Sequence, residues 1–291
     1  MEYINMRAYA KINLGLDVLG TLDNGYHEVR MVMQNIDMFD KVNIFKNNSG
    51  RITVKTNLSF LPTGADNLVY RAADLLIKEF GITAGVDIDL FKFIPVAAGM
   101  AGGSSDAAAV LRGMNTLFGL NLSMEELMKR GAMLGADIPY CIMGGTALAE
   151  GIGDRLTRLN DCPSCYVVVG KPAISVSTKY VYDNLVLDDN TKHPDIDGMI
   201  LAIKEGRLYD VADRLGNVLE MVTETKYPVI GGIKEDMMNC GALNAIMSGS
   251  GPTVFGLFDD KDKADKCNEY LRRGNRARIS YVTELINGGM A

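Results

Sequence analysis

Residues 95–111 read PVAAGMAGGSSDAAAVL, and no other stretch restricts the fold of this chain so tightly. Upstream, residues 86–93 alternate apolar and polar side chains, the period of a strand with one buried face. Downstream, residues 105–118 are rich in Ala, Val, Leu and Met and stop at Gly119, the composition and stop signal of a helix. A strand must therefore pass into a helix through Gly99, Gly102, Gly103 and a run of small residues. Glycine admits positive φ and lets another group come close to the backbone. The first turn of a helix leaves four N–H groups without intrahelical partners and carries partial positive charge. Ser104 and Ser105 add hydroxyl donors at the same end. Such a junction suits an anion, phosphate above all. A tight turn whose small residues serve packing alone is the other reading, and from this loop alone both stand.

Elsewhere the chain mixes the two periodicities. Residues 10–19 alternate in part, and 42–45 and 52–54 are short β-branched runs, so all three are expected to be strands. Residues 66–80 carry a helical stripe (Leu68, Ala72, Leu75, Leu76, Phe80) that ends at Gly81. Ser123 with Glu126 is a capping-box signature for a helix to about Leu134, with Gly135 as its stop. Asp137-Ile138-Pro139 reads as the start of a short helix, since Asp suits an N-cap and Pro the first turn. Past residues 151–153 the order becomes strand (166–169), helices (197–240), strands (242–247 and 253–258), helix (261–273) and strand (277–282). That is a β-α-β-β-α-β order, the split βαβ arrangement. At 291 residues the chain exceeds the size at which single cores stop growing. The expectation is an α+β protein of two domains, 1–158 and 159–291, sharing a cleft.

Composition excludes several classes. Net charge is −6 with a pI near 5.1, whereas a dedicated nucleic-acid binder needs a basic surface to neutralise phosphates. The N-terminal stretch MEYINMRAYAKINLG sets Arg7 and Lys11 among its apolar residues, unlike a secretory signal, and no apolar run approaches the length of a membrane span. The cytoplasm is the expected location. Cys162-Pro-Ser-Cys165 has CxxC spacing but precedes a strand, and no second ligand pair is near, so it reads as a loop with two reduced thiols.

The common phosphate loops fail. Walker A needs Lys after its last Gly, where this chain has Ser104; G-x-G-x-x-G is missing, as are HRD and DFG. The segment instead resembles the second motif of the galactokinase, homoserine kinase, mevalonate kinase and phosphomevalonate kinase (GHMP) family, P-x-x-x-G-L-G-S/G-S-S. Residues 8–16, AYAKINLGL, resemble the first family motif, and residues 247–258, MSGSGPTVFGLF, the third. The chain departs at Met100 and Ala101, where Leu and Gly are commoner; Ala101 puts a Cβ into the loop, which implies altered phosphate contacts. The strings AKINLGLDVLG, NGYHEVRMVMQ, LGADIPYCIMGGTALAEGIGD and VSTKYVY are similar to the branch that phosphorylates a cytidine diphosphate sugar alcohol in non-mevalonate isoprenoid synthesis. The likeness covers roughly residues 8–258.

The resemblance implies an ATP- and Mg²⁺-dependent alcohol kinase with its active site in a cleft between two GHMP-type domains. It assigns the ATP loop to Pro95, Val96, Ala97, Ala98, Gly99, Met100, Ala101, Gly102, Gly103, Ser104 and Ser105. Asp137, otherwise a plain N-cap, becomes the catalytic aspartate; Lys11, otherwise a solvent-facing strand residue, becomes the cation beside it. Asn13 shares a strand face with Lys11. Tyr26 and His27, in an expected loop, would stack on and hydrogen-bond to the cytosine; Tyr182, with Tyr180 as a near alternative, would cover its other face, and Thr178 would support the site. No protein ligand for Mg²⁺ is assigned beyond a hydroxyl of Ser104 or Ser105; Asp106 and Glu150 read as structural. The expected partner is a small molecule, with no nucleic acid or membrane, for a monomer or homodimer. The alternatives are a homoserine or mevalonate kinase type and a non-catalytic nucleotide-binding relative.

Overall fold

In a computed structural model, which describes residues 2–23 and 25–288, the chain opens with a long antiparallel hairpin, β1 (Tyr3–Thr21) and β2 (His27–Asn47). Both strands run well beyond the stretches that alternation marks. The reason is burial on both faces: from Ala10 to Val18 every residue of β1 is buried, so the period of two is lost there. His27, expected in a loop, is the first residue of β2 and pairs with Thr21, while Tyr26 stays in the turn. Next come β3 (Ile52–Thr56), α1 (Leu68–Phe80), β4 (Gly85–Phe91), α2 (Gly102–Phe118), α3 (Met124–Ala132), α4 (Ile138–Met143), β5 (Thr146–Glu150) and β6 (Arg155–Arg158).

Beyond them lie β7 (Tyr166–Lys171), α5 (Thr178–Asp183), α6 (Ile196–Lys204), α7 (Leu208–Asp213) and the two-residue β8 (Gly216–Asn217). The chain closes with α8 (Glu220–Lys226), α9 (Val229–Asn239), β9 (Asn244–Met247), β10 (Val254–Phe258), α10 (Lys261–Arg273) and β11 (Ile279–Ile286). Strands β11, β7, β10 and β9 lie side by side in that order, all antiparallel, with α9 and α10 packed on them: the split βαβ order expected from the sequence. Residues 279–284 of β11 pair with β7, and Leu285 and Ile286 pair with Ile36 and Asn35 of β2, so one sheet runs through both parts.

Helix ends follow local chemistry. Asn67 caps α1 by accepting the Val69 N–H at 2.9 Å, and Gly81 closes it at φ 59°. The Ser123–Glu126 capping box is formed reciprocally at 3.3 and 2.8 Å. Helix α3 stops at Ala132, short of Leu134, because the chain tightens: Leu134 and Gly135 both donate to the Gly131 carbonyl. Helix α2 starts at Gly102, three residues before its apolar run.

An ion cluster pins both ends of the glycine-rich loop. Lys92, just after β4, places its ammonium between Asp40 of β2 and Asp106 of α2, with Asp106 Oδ2 at 2.6 Å. All three side chains are buried, and Asp40 Oδ1 also accepts the backbone N–H groups of Phe93 and Ile94. Burial by itself would lower the Lys92 ammonium, but Asp106 and Asp40 together raise it; burial pushes the Asp106 carboxyl well above the usual carboxylate range. Removing the cation leaves two buried carboxylates side by side without their counter-charge. Lys92→Met is expected to lower unfolding free energy by ~3–5 kcal/mol, read from urea denaturation. A loss under about 1 kcal/mol would show that the cluster does not hold the loop.

Candidate active site

Between Ile94 and α2 the backbone turns through left-handed conformations at Ala97 (φ 51°), Gly99 (φ 71°) and Ala101 (φ 54°). Two of these are alanines, whose Cβ makes that geometry cost about 1–2 kcal/mol each. At Gly99 no Cβ fits, since it would run into the Ser248 carbonyl oxygen. Ser248 Oγ in turn donates to the Gly99 carbonyl at 3.0 Å, so the third glycine-rich segment backs the loop. The first bond of the α2 ladder joins the Ser105 N–H to the Ala101 carbonyl at 2.8 Å. The N–H groups of Gly102, Gly103 and Ser104 therefore have no partner within the helix.

Two cavities meet at this loop. One, of about 350 Å³, is lined by residues 95–99 and 101–104 together with Leu61, Pro62, Asn67, Leu68, Lys92 and Asp106. The other, of about 520 Å³, shares Gly99, Ala101 and Ser104 with the first. It collects every acceptor-side residue singled out in the sequence: Lys11, Asn13, Tyr26, His27, Asp137, Thr178 and Tyr182. Met100 and Ser105 line neither cavity. Met100 is 1% exposed, and its carbonyl accepts the Lys11 N–H at 3.2 Å. The Ser105 hydroxyl donates to the Tyr9 carbonyl and lies 3.3 Å from Cys141 Sγ, so of the two serines only Ser104 opens onto the cavities.

Lys11 reaches the cleft through a break in register. The β1–β2 ladder shifts between the Tyr9–Phe39 and Lys11–Asn35 pairs, and the Lys11 N–H turns to Met100. Its side chain is 5% exposed and donates from Nζ to Asn13 Oδ1 at 2.8 Å. Asp137 occupies the N-cap position of α4 but makes no capping bond; with φ −80° and ψ −14° its backbone is already helical. Its carboxylate lines the cleft instead of closing the helix. Burial, with the Asp137 charge second, pushes the Cys141 thiol and the Tyr182 phenol each up to about 12. Tyr182 thus stays protonated at neutral pH.

The His27 and Tyr182 rings touch, their centroids 4.9 Å apart at 39°. Tyr26, 62% exposed, stands at the rim. Tyr180 packs under the Lys226 ammonium, 3.2 Å from its ring centroid; of the two tyrosines Tyr182 lines the cleft and Tyr180 does not. Thr178 Oγ1 and Ser250 Oγ lie 2.8 Å apart, joining α5 to the third glycine-rich segment. Sequence reasoning did not find Asn217. Its amide donates to the Met247 and Gly249 carbonyls, both at 2.8 Å, and accepts from the Leu219 N–H at 3.0 Å. A two-residue strand gives no periodic signal that marks such a residue.

Asp106 is tied to Lys92, and Glu150 lies 3.5 Å from Arg30. Among the described residues no group of three or more His, Cys, Asp or Glu is placed to hold a metal ion. Cys162 and Cys165 are buried free thiols, both pushed up by burial, Cys162 to about 12. No helix of the described residues is long and apolar enough to cross a membrane.

Comparison with known proteins agrees with this geometry. Residues 67–145 match the family described as GHMP kinases N terminal domain, and residues 199–277 match GHMP kinases C terminal. The 4-diphosphocytidyl-2-C-methyl-D-erythritol kinase of Lachnospira eligens is 55% identical over 98% of this chain and 99% of its own. The kinase of the same name from Clostridium perfringens is 48% identical over 98% of this chain and 99% of its own. A crystal structure of 4-(cytidine 5'-diphospho)-2C-methyl-D-erythritol kinase superposes with a TM-score of 0.85 at 32% identity, covering 98% of this chain and all of that one. Homoserine kinase from Cytophaga hutchinsonii shares the fold, with a TM-score of 0.77 at 19% identity over 99% of this chain and 95% of its own. Two matched domains and relatives this similar over almost the whole length leave one assignment: the chain belongs to the GHMP kinase family.

Proposed function

We propose that this protein transfers the γ-phosphoryl group of ATP to the 2-hydroxyl of 4-diphosphocytidyl-2-C-methyl-D-erythritol, in non-mevalonate isoprenoid precursor synthesis. The observation that carries the reading is the junction of the two cavities: Lys11 and Asp137 line one, Gly102 and Gly103 at the open start of α2 line the other, and Ser104 lines both. Relatives 46–55% identical bear that activity in their names, whereas homoserine and mevalonate kinases match at 19% and 16% and share only the fold. The aromatic side chains Tyr26 and Tyr182 also favour an acceptor with a base over homoserine or mevalonate.

In this reading the nucleotide lies in the 350 Å³ cavity, its phosphates against Gly102, Gly103 and Ser104. The acceptor lies in the 520 Å³ cavity with its cytosine between Tyr26 and Tyr182 and an edge toward His27, near Thr178. Phosphoryl transfer needs positioning and charge stabilisation above all. Asp137 orients the attacking hydroxyl and takes its proton. Lys11, held by Asn13, stabilises the charge on the transferring oxygens. Mg²⁺, when bound, would supply neutralisation of the phosphates, and the Ser104 hydroxyl is the side chain that would help hold it. Both substrates are small soluble anions, which suits a cytoplasmic monomer or homodimer working without nucleic acid or membrane.

Asp137→Asn keeps the size of the side chain and removes its charge. It is expected to lower kcat by about 100-fold or more while calorimetry finds ATP affinity within about threefold; near-normal turnover would remove Asp137 from the mechanism. Tyr182→Ala should raise the KM for the cytidine substrate by roughly 5- to 150-fold, from a stacking loss of ~1–3 kcal/mol, with little change in the KM for ATP. An equal rise for both substrates would argue against a base-binding role. Gly99→Ala drives a methyl group into the Ser248 carbonyl and should abolish detectable heat on titration with magnesium–ATP. Normal binding in that variant would place the triphosphate elsewhere.

A further inference from the structure

Asn35 lies on β2, fully buried, and touches neither cavity. Its side chain nevertheless meets the elements that carry both proposed reacting groups. Asn35 Nδ2 donates at 3.0 Å to the carbonyl of Ala10, the residue in the register break directly before Lys11. Asn35 Oδ1 accepts the Gly145 N–H at 2.8 Å. Gly145 follows α4, whose N-cap is Asp137. All six residues of α4 are buried, and the Tyr140 hydroxyl on that helix donates to the Gly145 carbonyl at 2.7 Å. A shift at Gly145 is thus passed along a short, enclosed helix to its Asp137 end.

We infer that Asn35 is a positioning residue that fixes where Lys11 stands relative to Asp137, an inference that rests on the roles proposed for those two residues. The partners leave the amide one orientation, because a carbonyl only accepts and a backbone N–H only donates. Asparagine meets both demands at once. Aspartate has no N–H for the Ala10 carbonyl, and leucine, which branches alike but is bulkier, serves neither group. Phosphoryl transfer tolerates little misplacement of groups that act in the transition state, so an error here falls on kcat.

The test compares purified, folded variants. Asn35→Leu and Asn35→Asp are expected to lose tenfold or more in kcat, with the KM of ATP and of the acceptor each within threefold of the parent. Thr146→Val is the control. It removes the Thr146 Oγ1 bonds to Gln34 Oε1 at 2.6 Å and to the Cys162 N–H at 3.2 Å, both buried, and leaves the two side-chain bonds of Asn35 in place. It should lower Tm by a similar amount and leave kcat within twofold. In an Asp137→Asn background, Asn35→Leu should cost less than a further twofold, because the group it positions is already disabled. If Asp137→Asn itself turns over normally, the proposed mechanism fails. If Asp137→Asn is impaired but Asn35→Leu keeps kcat within twofold, or costs its full factor in both backgrounds, the positioning role is overturned. Asn35→Ser, smaller and easier to accommodate, replaces Asn35→Leu should the latter not fold. Recovery of all three Asn35 variants only as unfolded chain would assign Asn35 to folding alone and equally overturn it.

Discussion

Everything in this molecule is arranged around a helix start that must remain open. The N–H groups of Gly102, Gly103 and Ser104 have no partner in α2, and this end of the helix is open, with Gly103 exposed. A protein can close such an end with a capping side chain, but the residue at the N-cap here is Ala101, which has none to offer. The surroundings instead hold the opening in shape. Lys92, Asp40 and Asp106 fix its two ends, Ser248 backs its middle, and two alanines stay in left-handed geometry. Strain of this kind persists only where neighbours over-determine the backbone, and it keeps the donors aimed before any phosphate arrives.

The same loop organises the acceptor side. Because the Lys11 N–H leaves the β1–β2 ladder for the Met100 carbonyl, the strand that carries Lys11 is registered against the loop as well as against β2. The Thr178–Ser250 contact and the Asn217 amide hold the third glycine-rich segment against that loop from the other side. The three glycine-rich or small-residue segments, far apart in sequence, thus form one backbone structure beside the cleft that Lys11 and Asp137 line. The lack of a capping bond at Asp137 belongs to the same design: the carboxylate is spared from the helix for the cleft.

How much of this was legible in the sequence depended on whether the signal was local. The strand-to-helix loop, the Gly81 stop of α1 and the Ser123–Glu126 box of α3 rest on neighbours within a few residues, and local chemistry settled them. The long strands were legible only in fragments, since β1 is buried on both faces and its alternation vanishes there. Lys11 looked solvent-facing by period because a register break, which depends on the partner strand, turns it inward. Ser104 and Ser105 were indistinguishable until packing against Tyr9 and Cys141 took the second hydroxyl away. Asn35 and Asn217 carried no mark at all. Their value lies in which distant carbonyls they reach, a property of tertiary register and not of composition.

The consecutive amides Gln34 and Asn35 show how the two parts of the chain are joined. Successive strand residues point to opposite faces, so the pair reaches two sets of partners from one place. Gln34 Nε2 donates to the Ile286 carbonyl at 2.7 Å and its Oε1 accepts from Thr146, tying β2 to β11 and β5. Asn35 ties the same point to the Lys11 strand and to the end of the Asp137 helix. Strand β11 arrives from the C-terminal part and pairs with β2 only at Leu285 and Ile286, against Ile36 and Asn35. The seam between the parts therefore runs past Asn35, which also bonds to the residue before Lys11 and to the residue after the α4 C-cap. A sheet continuous at that point ties β1, β2 and β11 into one framework.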